Sequence, residues 1–190
     1  MHILNAAKKY QLVSLQKSCT EFLDKELDSN NACSILDHCR FFNEIELADK
    51  CMKLIEQNTK EIFNSTSFDS ISADTLSFIL ESNMLSMKEV DIFQQCYQWA
   101  MNRCGTESGV RKELGEAVYK IRFPTMAPAV FADTICPTDV LTAKEQLEIL
   151  RYITSAKKEK KPDGFCCDLR VPGKVNDFLA NPLKTTFNYN

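Results

Sequence analysis

Neither glycine nor proline occurs in the first 104 residues; all five glycines and all six prolines lie after that point. A stretch of that length without the two strongest backbone punctuators has few means of making tight turns between strands, and it favours long helices joined by short polar turns. The apolar spacing agrees. A short helix is predicted over residues 3–9 and a longer one over 12–27, where Leu12, Leu15, Cys19, Phe22, Leu23 and Leu27 recur at offsets of three and four. After the polar break Asp28-Ser29-Asn30-Asn31, whose asparagine can cap a helix, Ala32, Ile35, Leu36, Cys39 and Phe42 mark a third. Asn43 separates it from a fourth, in which Leu47, Ala48, Cys51, Met52 and Ile55 face inward.

The following segments repeat this plan. Ser72 or Asp74 caps a helix carrying Leu76, Ile79 and Leu80, and Ser86-Met87-Lys88-Glu89 reads as a capping box opening a long one. That helix has two apolar stripes, Val90, Phe93, Tyr97, Ala100 and Cys104 on one side and Ile92, Cys96 and Trp99 on the other, so it is expected at the centre with Trp99 as a core anchor. A further helix is predicted near residues 110–120, and a second capping box, Thr142-Ala143-Lys144-Glu145, starts one running through Leu147, Leu150 and Ile153. The expected fold is all-α, an array of stacked antiparallel helix pairs. Beyond residue 155 the lysine-rich run at 157–161 reads as a linker, and the mixed, breaker-containing tail reads as the opening strands of another domain, disordered or loosely docked.

Composition excludes several classes of function. At 190 residues, 44% hydrophobic and 26% charged, the chain is an ordinary globular protein of one or two domains. Its longest uncharged run, residues 92–102, has eleven residues, against the ~20 that span a bilayer, so no membrane role is expected. Lys8 and Lys9 follow the first apolar residues, the reverse of a secretory signal, which points to the cytoplasm. A net charge of −3 offers no basic field for nucleic acid.

The chemistry of catalysis is not written in this chain. The nine cysteines include no Cys-x-x-Cys pair and read as structural thiols, so no metal is expected. Of the two histidines, His2 lies at the terminus and His38 precedes Cys39 on one helix, where adjacent side chains diverge and form a poor dyad. Phosphate-cradling glycine motifs and the G-x-S-x-G elbow do not occur. We therefore read the chain as a non-enzyme without a cofactor, acting through its surfaces.

Several spaced phrases carry a family resemblance. Ala6-Ala7-Lys8-Lys9-Tyr10, leading to Leu15, resembles the last helices of a BTB/POZ domain. Asn31-Ala32-Cys33, Phe41-Phe42-Asn43-Glu44, Leu47-Ala48-Asp49-Lys50-Cys51, Phe93 to Ala100 and Arg122-Phe123-Pro124-Thr125-Met126 resemble successive parts of a BACK domain, in a protein of the kind that continues into a PHR β-sandwich through Phe165-Cys166-Cys167. The resemblance implies three segments: residues 1–27 as the end of a truncated BTB/POZ domain, 28–155 as a BACK domain with its 3-box helix pair at about 31–58, and 156–190 as a linker and incomplete PHR-like start.

The resemblance also implies a function. It makes the chain a substrate-adaptor segment of a cullin-3 RING ubiquitin ligase, with the amino-terminal domain of cullin-3 and an unknown substrate as partners. The alternative is a structural or transcription-related BTB protein with no ubiquitin role. The expectation is against dimerisation, because the POZ core is missing, and for an exposed apolar face on Ile3, Leu4, Leu12 and Leu15. A groove between stacked helix pairs is a natural seat for a partner segment, and Leu36, Cys39, Phe42 and Leu47 are its candidate lining. The 3-box pair is expected to lean on residues 12–27 on one side and on the helix of residues 86–104 on the other.

Overall fold

The computed structural model describes residues 2–155 and 160–172. Helices α1 (His2–Lys9) and α2 (Val13–Lys25) lead into α3 (Ala32–Phe42) and α4 (Ile45–Gln57). Three short helices follow, α5 (Thr59–Phe63), α6 (Thr66–Asp69) and α7 (Ala73–Glu81), then the long α8 (Glu89–Cys104) and α9 (Glu107–Leu114). After two 3-10 turns come the one-turn α10 (Pro128–Val130), a π turn (Phe131–Ile135) and finally α11 (Ala143–Thr154), which closes the body. No strand occurs among the described residues, and the fold is all-α as the punctuation of the sequence implies.

The pairs stack as neighbours. α3 lies against α4, α1 against α2, and α8 against α9, while α6 and α7 press on α3 and α2 leans on α4. Beyond its partner α4, α3 rests on α6 and α7 and not, as expected, on the helix of residues 86–104: α8 stands one layer behind, packed on α6. Ile92, Phe93, Cys96, Trp99 and Ala100 of α8 are all buried, so the stripe of Ile92, Cys96 and Trp99 is sealed, with Trp99 the largest side chain in the core, while Val90, Tyr97 and Cys104 of the other stripe stay half-buried. α8 stops at Gly105, whose φ of +69° is a left-handed cap that costs a side-chain-bearing residue about 1–2 kcal/mol.

Local signals are met in some places and overruled in others. Thr142 forms the expected capping box: its Oγ1 accepts from the Glu145 N–H at 3.3 Å while the Glu145 carboxylate accepts from the Thr142 N–H at 2.8 Å. Ser86 does not. α8 begins three residues later behind Lys88, because the Ser86 hydroxyl donates to the Glu56 carbonyl at 3.0 Å and Glu89 is taken by distant arginines. Asn31 clasps the turn before α3 rather than capping the helix, donating to the Glu26 carbonyl at 2.6 Å. The helix predicted over 110–120 is α only to Leu114; Gly115, at φ +51°, converts the rest to a 3-10 coil (Gly115–Lys120).

The two ends differ from expectation in three respects. The stripe on α2 is amphipathic but not covered: none of its residues is fully buried, and Phe22 is 62% exposed. Leu4 is not part of the exposed apolar face, since it is sealed along with Ala7 where α1 folds back on α2; Ile3, Leu12 and Leu15 are exposed. Residues 160–172 are docked rather than loose, with Pro162 and Phe165 buried. Most of the predicted PHR-like start, and part of the lysine run, fall outside the described residues.

Asp37 ties α3 to the start of α7. Its carboxylate accepts from the Ser72 N–H at 3.0 Å and the Ser72 hydroxyl at 2.6 Å, and the Ser72 oxygen in turn caps α7 by accepting from the Thr75 N–H at 3.2 Å. Burial opposes ionisation of Asp37, but the hydrogen bonds from Ser72 and Thr75 outweigh it and hold the carboxyl below its usual range. A depressed folded pKa means that the folded chain binds fewer protons than the unfolded one. The stabilisation is present above the unfolded value of about 3.9 and is lost as pH falls through the lower folded value. The urea midpoint is accordingly expected to fall below about pH 4, and Asp37→Asn should show a smaller fall over that range. Identical pH profiles for the two proteins would remove Asp37 from this role.

Candidate functional site

The α3–α4 hairpin is built by one sharp turn. Asn43 adopts the left-handed conformation at φ +58°, which asparagine tolerates better than most residues, and the Glu44 N–H donates back to the Cys39 carbonyl at 2.8 Å. Lys8 braces that turn from α1, donating to the Phe42 carbonyl at 2.6 Å and pairing with Glu44 at 2.8 Å. Lys50 and Asp24, 2.7 Å apart, link α4 to α2.

The four candidate lining residues separate. Leu36, Cys39 and Leu47 are buried in the interface between α3 and α4, so their side chains hold the hairpin together and present no surface to a partner. Phe42 is half-buried at the turn. Its ring meets Phe41 edge to face, with centroids 4.8 Å apart, and Phe41 itself is 74% exposed. Ile45, at the start of α4, is also exposed. The most exposed apolar side chains of this hairpin, Phe41 and Ile45, thus lie at its tip beside Phe42. The helical period marks the inward positions, whereas Phe41 lies one step off the stripe and was missed.

The reactive side chains are quiet. Burial pushes the Cys33 thiol up to about 12, and the neighbouring Cys39 thiol followed by burial raises Cys51 beyond the ordinary thiol range. Such thiols carry little thiolate at neutral pH and are poor nucleophiles. His38 Nδ1–H donates to the Ser34 carbonyl at 2.7 Å, which spends that nitrogen inside its own helix. Among the described residues there is no cluster of three or more His, Cys, Asp or Glu side chains placed to hold a metal. An open depression of about 420 Å³ beside Asn58, Thr59, Lys60 and Ser86 has no general base aimed into it beyond the solvated Glu61. None of the described helices is long and apolar enough to cross a membrane.

Comparison with known proteins agrees with this architecture. The family model BACK, "BTB And C-terminal Kelch", matches residues 32–136, from the first residue of α3 through the π turn before α11. The chain belongs to the BACK family. Its relatives include BTB/POZ domain-containing protein 6-B of Danio rerio, 36% identical over 163 residues, which is 83% of this chain and 34% of the relative. BTB/POZ domain-containing protein 6 of Mus musculus and protein 3 of Homo sapiens are each 35% identical over 161 residues, covering 82% of this chain and 30% and 31% of the relatives. The chain therefore spans about a third of the length of these BTB/POZ relatives. Within this BACK chain, the α3–α4 hairpin is the first helix pair of the matched region.

The division between sealed and exposed residues on that hairpin is measurable. Leu36→Ala should lower the unfolding free energy by about 2–5 kcal/mol through the cavity it leaves. Phe41→Ala, which removes an exposed ring, should change it by less than about 1 kcal/mol. Urea titration followed by the fluorescence of Trp99, the single tryptophan, reads both. Equal losses would place Phe41 in the core.

Proposed function

We propose that this BACK chain is a non-catalytic adaptor segment that contributes a helical docking surface to a cullin-RING ubiquitin ligase. The observation that carries this reading is the α3–α4 hairpin: an interface sealed by Leu36, Cys39 and Leu47 that holds an aromatic pair, Phe41 and Phe42, at an accessible tip. Preformed apolar anchors on a rigid helix pair bind with little ordering cost, which is what a shared scaffold protein requires of its adaptors. In this reading the amino-terminal domain of cullin-3 seats against the tip. Leu36, Cys39 and Leu47 position the tip without touching the partner, and Phe42 acts with Phe41. The weak nucleophilicity of the buried thiols and the internal hydrogen bond of His38 support a surface role over bond-making. A substrate would be chosen by protein surface outside this hairpin.

Calorimetric titration of the chain with the cullin-3 amino-terminal domain tests the proposal. Saturable binding is expected, weakened at least tenfold, about 1.4 kcal/mol, by Phe42→Ala or Phe41→Ala with helicity unchanged by circular dichroism. Unaltered binding by both folded variants would move the contact away from the hairpin tip. No binding by the folded wild-type chain would leave these residues without the proposed partner.

A further inference from the structure

Residues 160–172 run over the helical body as an irregular strap; Pro162 is buried at its start, and the side chains of Phe165 and Arg170 make its specific contacts. Phe165 is buried with its ring centroid 5.3 Å from that of Tyr119 and 5.9 Å from that of Phe123. Gly164 makes the approach possible: it sits at φ +83°, and a Cβ there would come within 3.3 Å of the Tyr119 ring.

Five residues on, Arg170 enters a socket that satisfies all five of its N–H donors. Nε and Nη2 pair with the two oxygens of Glu89 at 2.9 and 3.1 Å, Nη1 donates to the carbonyls of Leu80 (2.9 Å) and Ser82, and Nη2 reaches the Lys120 carbonyl at 3.3 Å. The Arg170 and Glu89 side chains are 4% and 9% exposed. Between the two anchors Cys166 and Cys167 are half-buried, whereas Asp168 and Leu169 face outward, with Leu169 70% exposed. Two backbone contacts complete the attachment, from the Val171 N–H to the Asn83 carbonyl at 2.8 Å and from Arg122 to the Asp168 carbonyl at 3.0 Å.

The socket belongs to the body, not to the strap. Its carbonyls lie at the end of α7 and of the 3-10 coil before Ile121, where helix-terminal acceptors lack intrahelical donors and attract a cation. Its carboxylate is the first residue of α8. An open depression of about 260 Å³, lined in part by Asn83, Tyr119, Arg122 and Gly164, runs beside the strap, so water has a route in when the strap lifts. A buried ion pair adds little net stability because desolvation offsets its attraction, so an anchor of this kind selects its occupant more than it welds it in place.

We propose that the helical body carries a two-point peptide socket for an extended segment with an aromatic residue and an arginine five positions later, and that residues 160–172 fill it in cis as a removable plug. Lysine does not substitute for the arginine, since a single ammonium cannot meet five acceptors arranged around a planar fork. The cis occupant is favoured by its high effective concentration, so a segment supplied in trans enters only when the plug is out. This inference stands independently of cullin binding.

The test uses the full chain with Phe165→Ala and Arg170→Ala together, and a fluorescently labelled peptide of residues 160–172 as the probe, read by anisotropy. The folded double variant should bind the peptide saturably and at least tenfold more tightly than the wild-type chain. A peptide carrying Arg170→Lys, or a further Glu89→Gln change in the chain, should cost at least tenfold of that affinity. Hydrogen exchange on the wild-type chain should find the Val171 amide opening while α7 and α8 stay protected. A folded variant that ignores the peptide overturns the proposal. A double variant that cannot fold, or exchange at Val171 only together with α8, also overturns it by making the strap part of the core.

Discussion

α8 is apolar around most of its circumference, and a helix of that kind is stable in water only if other elements surround it. That requirement arranges the rest of the chain. α6 and α9 cover two of its sides, the 3-10 turn at Phe123–Thr125 covers a third, and Phe93 joins an aromatic chain that runs through Phe123 to Phe131 and Phe165. The α3–α4 hairpin does not touch this axis closely; it is held one layer out by α6 and α7. A surface carried on such an outer layer keeps its geometry through the packing beneath it, so its tip can stay exposed without loosening the core.

The helices could be read from the sequence wherever the driving signal was local. Periodicity of 3–4 placed α3, α4, α7 and α8, and the threonine–glutamate box placed the start of α11 to the residue. The misplaced start of α8 has a long-range cause. Ser86 and Glu89 have the spacing of a capping box, but each side chain forms stronger long-range bonds, Glu89 with an arginine 81 positions away. No window of the sequence contains both ends of that pair. The amphipathic stripe on α2 likewise reports which face is apolar and not what lies against it.

The candidate site was legible to the level of the hairpin and not to the side chain. An apolar residue on the inward stripe and one available to a partner are both written as Leu, Cys or Phe, and burial separates them only once the helices are packed. Leu36, Cys39 and Leu47 went to the interior by the same period that made them conspicuous. Phe41 breaks the period, and an aromatic residue off the stripe beside one on it was the available clue.

Lys8 gives the hairpin tip a sensitivity of another kind. Its ammonium joins the first helix to the turn carrying Phe42 through one carbonyl and one carboxylate, both near the surface, with side chains 29% and 21% exposed for Lys8 and Glu44. An attraction between partly solvated charges weakens as dissolved ions accumulate around it. The stiffness of this joint therefore follows ionic strength, and the orientation of α1 is transmitted to the two phenyl rings more faithfully in dilute buffer than in brine.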